Sequence, residues 1–295
     1  MTLRLIEPKD VDETFAILTN LADEFPQTEF IFRGQQNSQW RLQTSYDRYW
    51  HGTPLHEEFY VERMVARFQS GVTRLGLDVH CRGNLDWLEY GRHHGLPAPL
   101  LDFTWSPFVA LFFAFDGLRA ESDSHLSSAL YCLNLNQLAK EVVRASQAED
   151  LANPHTFGRA ISSFLHEGAS HFKNGFPQER IIFLRYPNAH TRRMHVQLGT
   201  FIYSTMEFGD SPKPKDLEAY FEGIQEGFDS PSLPSEDRHV LLKLNVPHEW
   251  ISKIFSRLEV MGITGSTMYL SAEGVAKDVY NAYNFEPRAA YLRDS

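Results

Sequence analysis

The stretch from Leu100 to Phe115 constrains the fold most. Leu100-Leu101-Asp102-Phe103 is a short apolar run carrying one carboxylate, bounded by Pro99 and Thr104. Its length and flanks predict a buried strand whose polar groups emerge at its C-terminal end. Ser106 then reads as an N-cap and Pro107 as the first residue of a helix. Phe108, Val109, Leu111, Phe112, Phe113 and Phe115 follow, apolar almost all round, so this helix must be buried too. A buried helix running directly out of a buried strand predicts an α+β domain, a mixed or antiparallel sheet core with flanking helices. Asp102, Thr104 and Ser106 fall between the two elements, where free helix amides attract anions such as phosphate. The same pattern also reads as a capped helix with Asp102 satisfied by nearby backbone N–H groups.

A second polar cluster follows an earlier strand. Glu29-Phe30-Ile31-Phe32 ends in Arg33-Gly34-Gln35, and a polar loop leads to Trp40. Arginine offers a forked donor to phosphate or carboxylate, and glycine lets a ligand approach the backbone. An arginine paired to a core carboxylate beside a turn glycine fits the same residues. Further on, Asn84 to Gly91 reads as a short capped helix running into Arg92-His93-His94-Gly95. Adjacent histidines point about 100° apart on a helix and rarely share a metal, but one of them could act as donor or base.

The remaining elements are plainer. Val11, Phe15, Leu18 and Leu21 predict a first amphipathic helix, which sets residues 1–27 apart as an N-terminal helical segment. Leu55 to Leu75 predicts a long helix. Strands are predicted at 128–133, 180–184, 198–203 and 239–244, the third entered by the basic turn Arg192-Arg193-Met194-His195-Val196-Gln197. Pro247 marks a helix start with Gly262 as its C-cap, and Ser271 caps a last helix. Residues 206–238 hold nine carboxylates against three bases, among Pro and Gly, which predicts a mobile acidic insertion. Residues 286–295 form a tail.

Composition excludes several classes. At 295 residues and 42% hydrophobic content the chain can bury a large core. A net charge of -10 argues against non-specific binding to nucleic acid or anionic membrane. No run of about 18 apolar residues appears, and Met1 to Pro8 lacks a signal peptide's apolar core, so a cytoplasmic protein is expected. Cys81 and Cys132 alone make neither a disulfide framework nor a Cys-rich metal site, and no metal is predicted. No G-x-S-x-G, H-E-x-x-H, Walker or G-x-G-x-x-G motif is present.

Phe32-Arg33-Gly34-Gln35 with Trp40, His94-Gly95-Leu96-Pro97, Leu100-Leu101-Asp102-Phe103-Thr104 and Ser106-Pro107-Phe108 through Ala114 resemble the FRG domain family. Gln197-x-Gly199-x-Phe201 and the Gly262 to Lys277 segment resemble its downstream blocks, so the resemblance spans the 28–285 region. Two departures stand out: Ala98-Pro99 replaces a usual Thr-Arg, and Met268-Tyr269-Leu270-Ser271-Ala272-Glu273 replaces a Leu-Phe-Pro-Asp-Leu-Asp block. The block order also looks like that of ADP-ribosyltransferase folds. That resemblance implies NAD as substrate, with Arg33, Gly34, Gln35, His94, Thr104 and Ser106 binding it and Arg33, Asp102, Thr104 and Gln197 as catalytic residues. Asp102 or Glu207 would replace the charge that Gln197 lacks. The implied activity is ADP-ribosyl transfer or NAD glycohydrolysis, in a toxin or phage-defence effector, with a protein or nucleic-acid acceptor. A nucleotide-sensing or protein-interaction module without chemistry and a nucleic-acid-acting enzyme are the alternatives. Arg33, Asp102, Thr104 and Gln197 are expected to converge on one cleft.

Overall fold

The computed structural model describes residues 3–23, 29–50, 60–118, 126–145, 153–173, 181–184, 192–204, 217–218, 220 and 239–285. Leu3–Ile6 forms strand β1, an element absent from the sequence expectations because four residues give too little alternation to detect. Helix α1, Val11–Asp23, begins where the Asp10 carboxylate accepts from the Glu13 N–H. Strand β2, Phe30–Gln35, is followed by the short helix α2, Ser45–Trp50, and by α3, Tyr60–Arg74. Helix α4, Asn84–His93, precedes β3, Leu100–Thr104, and α5, Pro107–Phe115. The cap is as expected, with Ser106 Oγ accepting from the Val109 N–H.

Strand β4, Ser127–Asn134, then helices α6, Leu135–Ala145, and α7, Pro154–His166, lead to β5, Ile181–Leu184. Helix α8, Arg192–Val196, β6, Gly199–Ser204, and β7, Leu241–Pro247, complete the sheet. Three helices close the chain: α9, Ile251–Val260, α10, Gly265–Tyr269, and α11, Ala272–Phe285. Pro247 is the last residue of β7 and also the N-cap of a short 3-10 turn, His248–Trp250, that runs into α9, so it marks the helical start as expected. Without an N–H it can end a ladder but not extend one.

The seven strands form one mixed sheet in the order β1-β7-β4-β2-β3-β6-β5. Only β1 and β7 run parallel; every other pair is antiparallel. The segment before residue 28 is therefore built into the sheet through β1. Period-two alternation sorts the side chains: Phe32, Leu130 and Cys132 face a core with α1, α5 and α9. Ile31, Tyr131 and Leu133 face a second core with α6 and α7. A third cluster joins Leu100, Phe201 and Tyr203 to α3 and α4.

Helix α5 lies directly on β2. A methyl group on Gly34 would overlap the Ala110 carbonyl and the Ala114 backbone, so glycine here sets the helix-to-sheet distance. The acidic insertion falls almost wholly outside the described residues, and Glu207 and residues 286–295 lie outside them altogether. At its described residues, 217, 218 and 220, it is packed against the core, which corrects the expectation of a mobile insertion there. Leu217 is buried in the second core, with its N–H bonded to Leu42 O at 2.9 Å. Glu218 is 6% exposed, accepts from the Tyr131 hydroxyl and lies 3.4 Å from Lys243 Nζ.

Candidate functional site

Strands β2 and β3 pair at one position, Phe32 with Thr104, and their ladder goes no further. In the resulting gap lies a cavity of about 490 Å³, within the roughly 300–1,000 Å³ usual for small-molecule sites. Arg33, Asp102, Thr104 and Gln197 all line it, although 164 positions separate the first from the last in sequence. Gly34 and Gln35 line it as well. His94 and Ser106 do not: Ser106 is spent on the α5 cap, and the His94 ring packs against Tyr90 at 4.4 Å. The neighbouring His93 is the histidine that reaches the wall.

Arg33 donates from Nη1 to the Asp102 carbonyl at 2.8 Å and stands 3.8 Å from its Oδ2. Its Nε is buried and makes no hydrogen bond. The closer partner of Asp102 is Arg92, at the end of α4, whose Nε meets Oδ1 at 3.1 Å while Nη2 bonds Oδ2. Arg92 also reaches Ser45 Oγ at 3.2 Å. Asp102 is thus held by a forked guanidinium, not by backbone amides. Its side chain remains 44% exposed, opening onto the cavity.

The electrostatics follow from this pairing. Burial pushes the Asp102 carboxyl up, but the Arg92 charge and hydrogen bonds, then Arg33 and His93, outweigh it and hold it below the usual aspartate value. Asp102 in turn raises Arg92. Burial lowers Arg33 to about 10, against Asp102 and reinforced by Arg92 and Arg48, which leaves it charged at neutral pH. Burial, then Arg193, Arg92 and His94, lower His93 against the pull of Asp102, so its imidazole is neutral at pH 7.

Thr104 and Gln197 act mainly as braces. The Thr104 hydroxyl donates to Gln197 O at 2.7 Å and accepts from the Ser106 N–H at 3.1 Å. The Gln197 amide donates to Met268 O at 2.9 Å. That bond ties the entry of β6 to α10 and holds Tyr269 at the cavity. Arg193 lies over the Tyr269 ring at 4.3 Å. Asp116, just after α5, accepts from the Tyr269 hydroxyl and pairs with Lys277 at 2.9 and 3.2 Å. The loop after β2 is fixed by Gln35 donating to Trp40 O, and Trp40 itself is 49% exposed at the cavity mouth.

Sequence reasoning missed Arg48, Arg92, Arg193 and Tyr269. Arg92 and Arg193 stood inside singled-out segments, but the neighbouring histidines and Gln197 drew the assignment. Tyr269 belongs to the block that departs from the family pattern. No signal marks Arg48, which helix α2 brings in from a different part of the chain. Among the described residues, no group of three His, Cys, Asp or Glu side chains is placed to hold a metal, and no described helix is long and apolar enough to cross a membrane.

Together these features define an α+β protein with an arginine-rich cleft between two central strands. The FRG domain model matches residues 28–123, and the chain carries an FRG domain. That span supplies β2, β3 and α5, while Arg193, Gln197 and Tyr269 come from beyond it. Comparison with curated proteins and with solved structures gives no match.

Proposed function

We propose that the cavity binds a phosphate-bearing nucleotide, NAD first among those to test, and acts on its nicotinamide–ribose bond. One observation carries the reading: four guanidinium groups, Arg33, Arg48, Arg92 and Arg193, line one cavity in a chain of net charge -10. Among the described residues, two carboxylates, Asp102 and Asp116, share that wall. An excess of forked cations suits a diphosphate, and Trp40 and Phe113 supply aromatic surface for a base or nicotinamide. When the bond breaks, nicotinamide leaves neutral and positive charge develops on the ribose, which a carboxylate at Asp102 stabilises. The attacking hydroxyl, of water or of an acceptor, passes its proton to neutral His93. Draining NAD in this way suits a toxin or phage-defence effector.

The test is calorimetry with NAD and ADP-ribose beside an assay of nicotinamide release. Wild type should bind and release nicotinamide. Arg33→Ala should lose roughly 1.5–3 kcal/mol of affinity, the range for hydrogen bonds to charged groups, and still fold because Arg92 continues to pair Asp102. No heat and no nicotinamide from wild type would overturn the proposal. Binding with no release favours a second reading, a nucleotide sensor, which draws on Gln197 being a neutral amide, with no charge to stabilise a ribose cation and its Nε2 bonded to Met268 O.

A further inference from the structure

The exposed Asp102 carboxylate occupies the position on the cavity wall where a ligand phosphate would meet Arg92. Its two oxygens take the two prongs of that guanidinium, the geometry in which arginine also grips phosphate. Arg33 Nη1 stands 3.8 Å from the same Oδ2 that Arg92 bonds, with its Nε buried and unbonded. A side chain that is 44% accessible pairs with one that is only 20% accessible, so the pair faces the cavity with its anionic half outward.

We infer that Asp102 is an internal counter-anion: it competes with the ligand's phosphate for Arg92, and ligand binding releases its carboxylate toward the sugar. The inference rests on the cavity being a phosphate site. The exchange replaces one charge-assisted forked pair by another, so little electrostatic stabilisation is lost when Arg92 turns to the ligand. A diphosphate, with more negative charge than a single carboxylate, draws the guanidinium more strongly. Ser45 Oγ, bonded to Arg92 Nη1 at 3.2 Å, gives the side chain a second anchor during the turn. In the free protein the carboxylate is neutralised, and a ligand lacking phosphate cannot free it. Substrate selection and activation of Asp102 are then a single event.

The test is a double-mutant cycle read by calorimetry with inorganic pyrophosphate, on the full chain. Asp102→Asn removes the competitor and should bind pyrophosphate about tenfold tighter than wild type, about 1.4 kcal/mol. The same variant should lose nicotinamide release. Arg92→Gln should bind more weakly than wild type, and adding Asp102→Asn to it should recover nothing. In wild type, the Arg92 Nε–H resonance should move as pyrophosphate is added, a readout that needs no variant to fold. Equal or weaker binding by folded Asp102→Asn, or an unmoved Arg92 resonance in a protein that does bind, overturns the inference and leaves the phosphate site standing. Failure of both wild type and Asp102→Asn to bind pyrophosphate or NAD overturns the phosphate site and the inference together.

Discussion

Two aspartates bracket helix α5, and they differ in what surrounds them. Asp102, before the helix, is gripped by Arg92 yet opens 44% of its side chain to the cavity. Asp116, after it, is 10% exposed at the side chain and is enclosed by Lys277 and the Tyr269 hydroxyl. Both make good ion pairs, so distance does not separate their roles. Solvent access does. A pair open to a cavity can trade partners with a ligand, whereas an enclosed one fastens structure, because breaking it strands a charge away from water.

The largest expected effect follows from the enclosed end. Asp116→Ala leaves Lys277 and Tyr269 without their acceptor and should cost about 3 kcal/mol, the low edge of the range for broken buried pairs because Lys277 is partly exposed. Thermal unfolding should then fall by roughly 6–12 °C, while Asp102→Asn stays within a few degrees of wild type. Equal losses from the two variants would erase the distinction.

Gly34→Ala should remove the contrast by shifting the whole helix. The added methyl pushes α5 off β2 at the Ala110 carbonyl, for about 1–3 kcal/mol by urea unfolding. Pyrophosphate affinity should drop too, because Ala110, Phe113 and Asp116, which line the cavity, move with the helix and draw on the Gln36 side chain bonded to the Asp116 carbonyl.

The smallest effect is a dependence on pH. Asp102 titrates below its ordinary value in the folded protein, so its stabilising contribution is complete above that ordinary value, about pH 3.8, and is lost as pH falls through the folded one. Melting curves of wild type and Asp102→Asn taken from pH 7 down to 3 should keep a constant separation to about pH 4 and then converge. A separation that changes between pH 7 and 5 would point to His93 instead.

The strand-to-helix unit around α5 was legible because hydrophobic period, cap and proline agree over 16 residues of continuous chain, from Leu100 to Phe115. Arg33 and Asp102 were legible as strand-end polar groups for the same reason. The partner of Asp102 was not. Arg92 lies ten positions upstream, on a helix whose end is turned toward β3 by packing of Leu85 and Leu88 in the third core. Nothing periodic encodes that turn. Tyr269 was illegible for a similar reason: the close crossing of α10 and α11 at Gly265 and Gly274 places it, and no local pattern does. The buried Glu218 lay hidden in an acidic run where eight other carboxylates supplied the reading.

The sheet order has a consequence in time. Strand β2 is flanked by β4 and β3 by β6, so the 28–123 span leaves a ribosome with both its central strands unpaired on one side. Translation runs at roughly 5–20 residues per second, so Tyr269 follows Arg48 by about 10–40 s. From Arg92 onward the nascent chain holds three of the four cavity arginines but no closed cleft around them. An unfinished chain therefore has no finished cavity, and the cleft is complete only once the segment carrying Tyr269 has emerged.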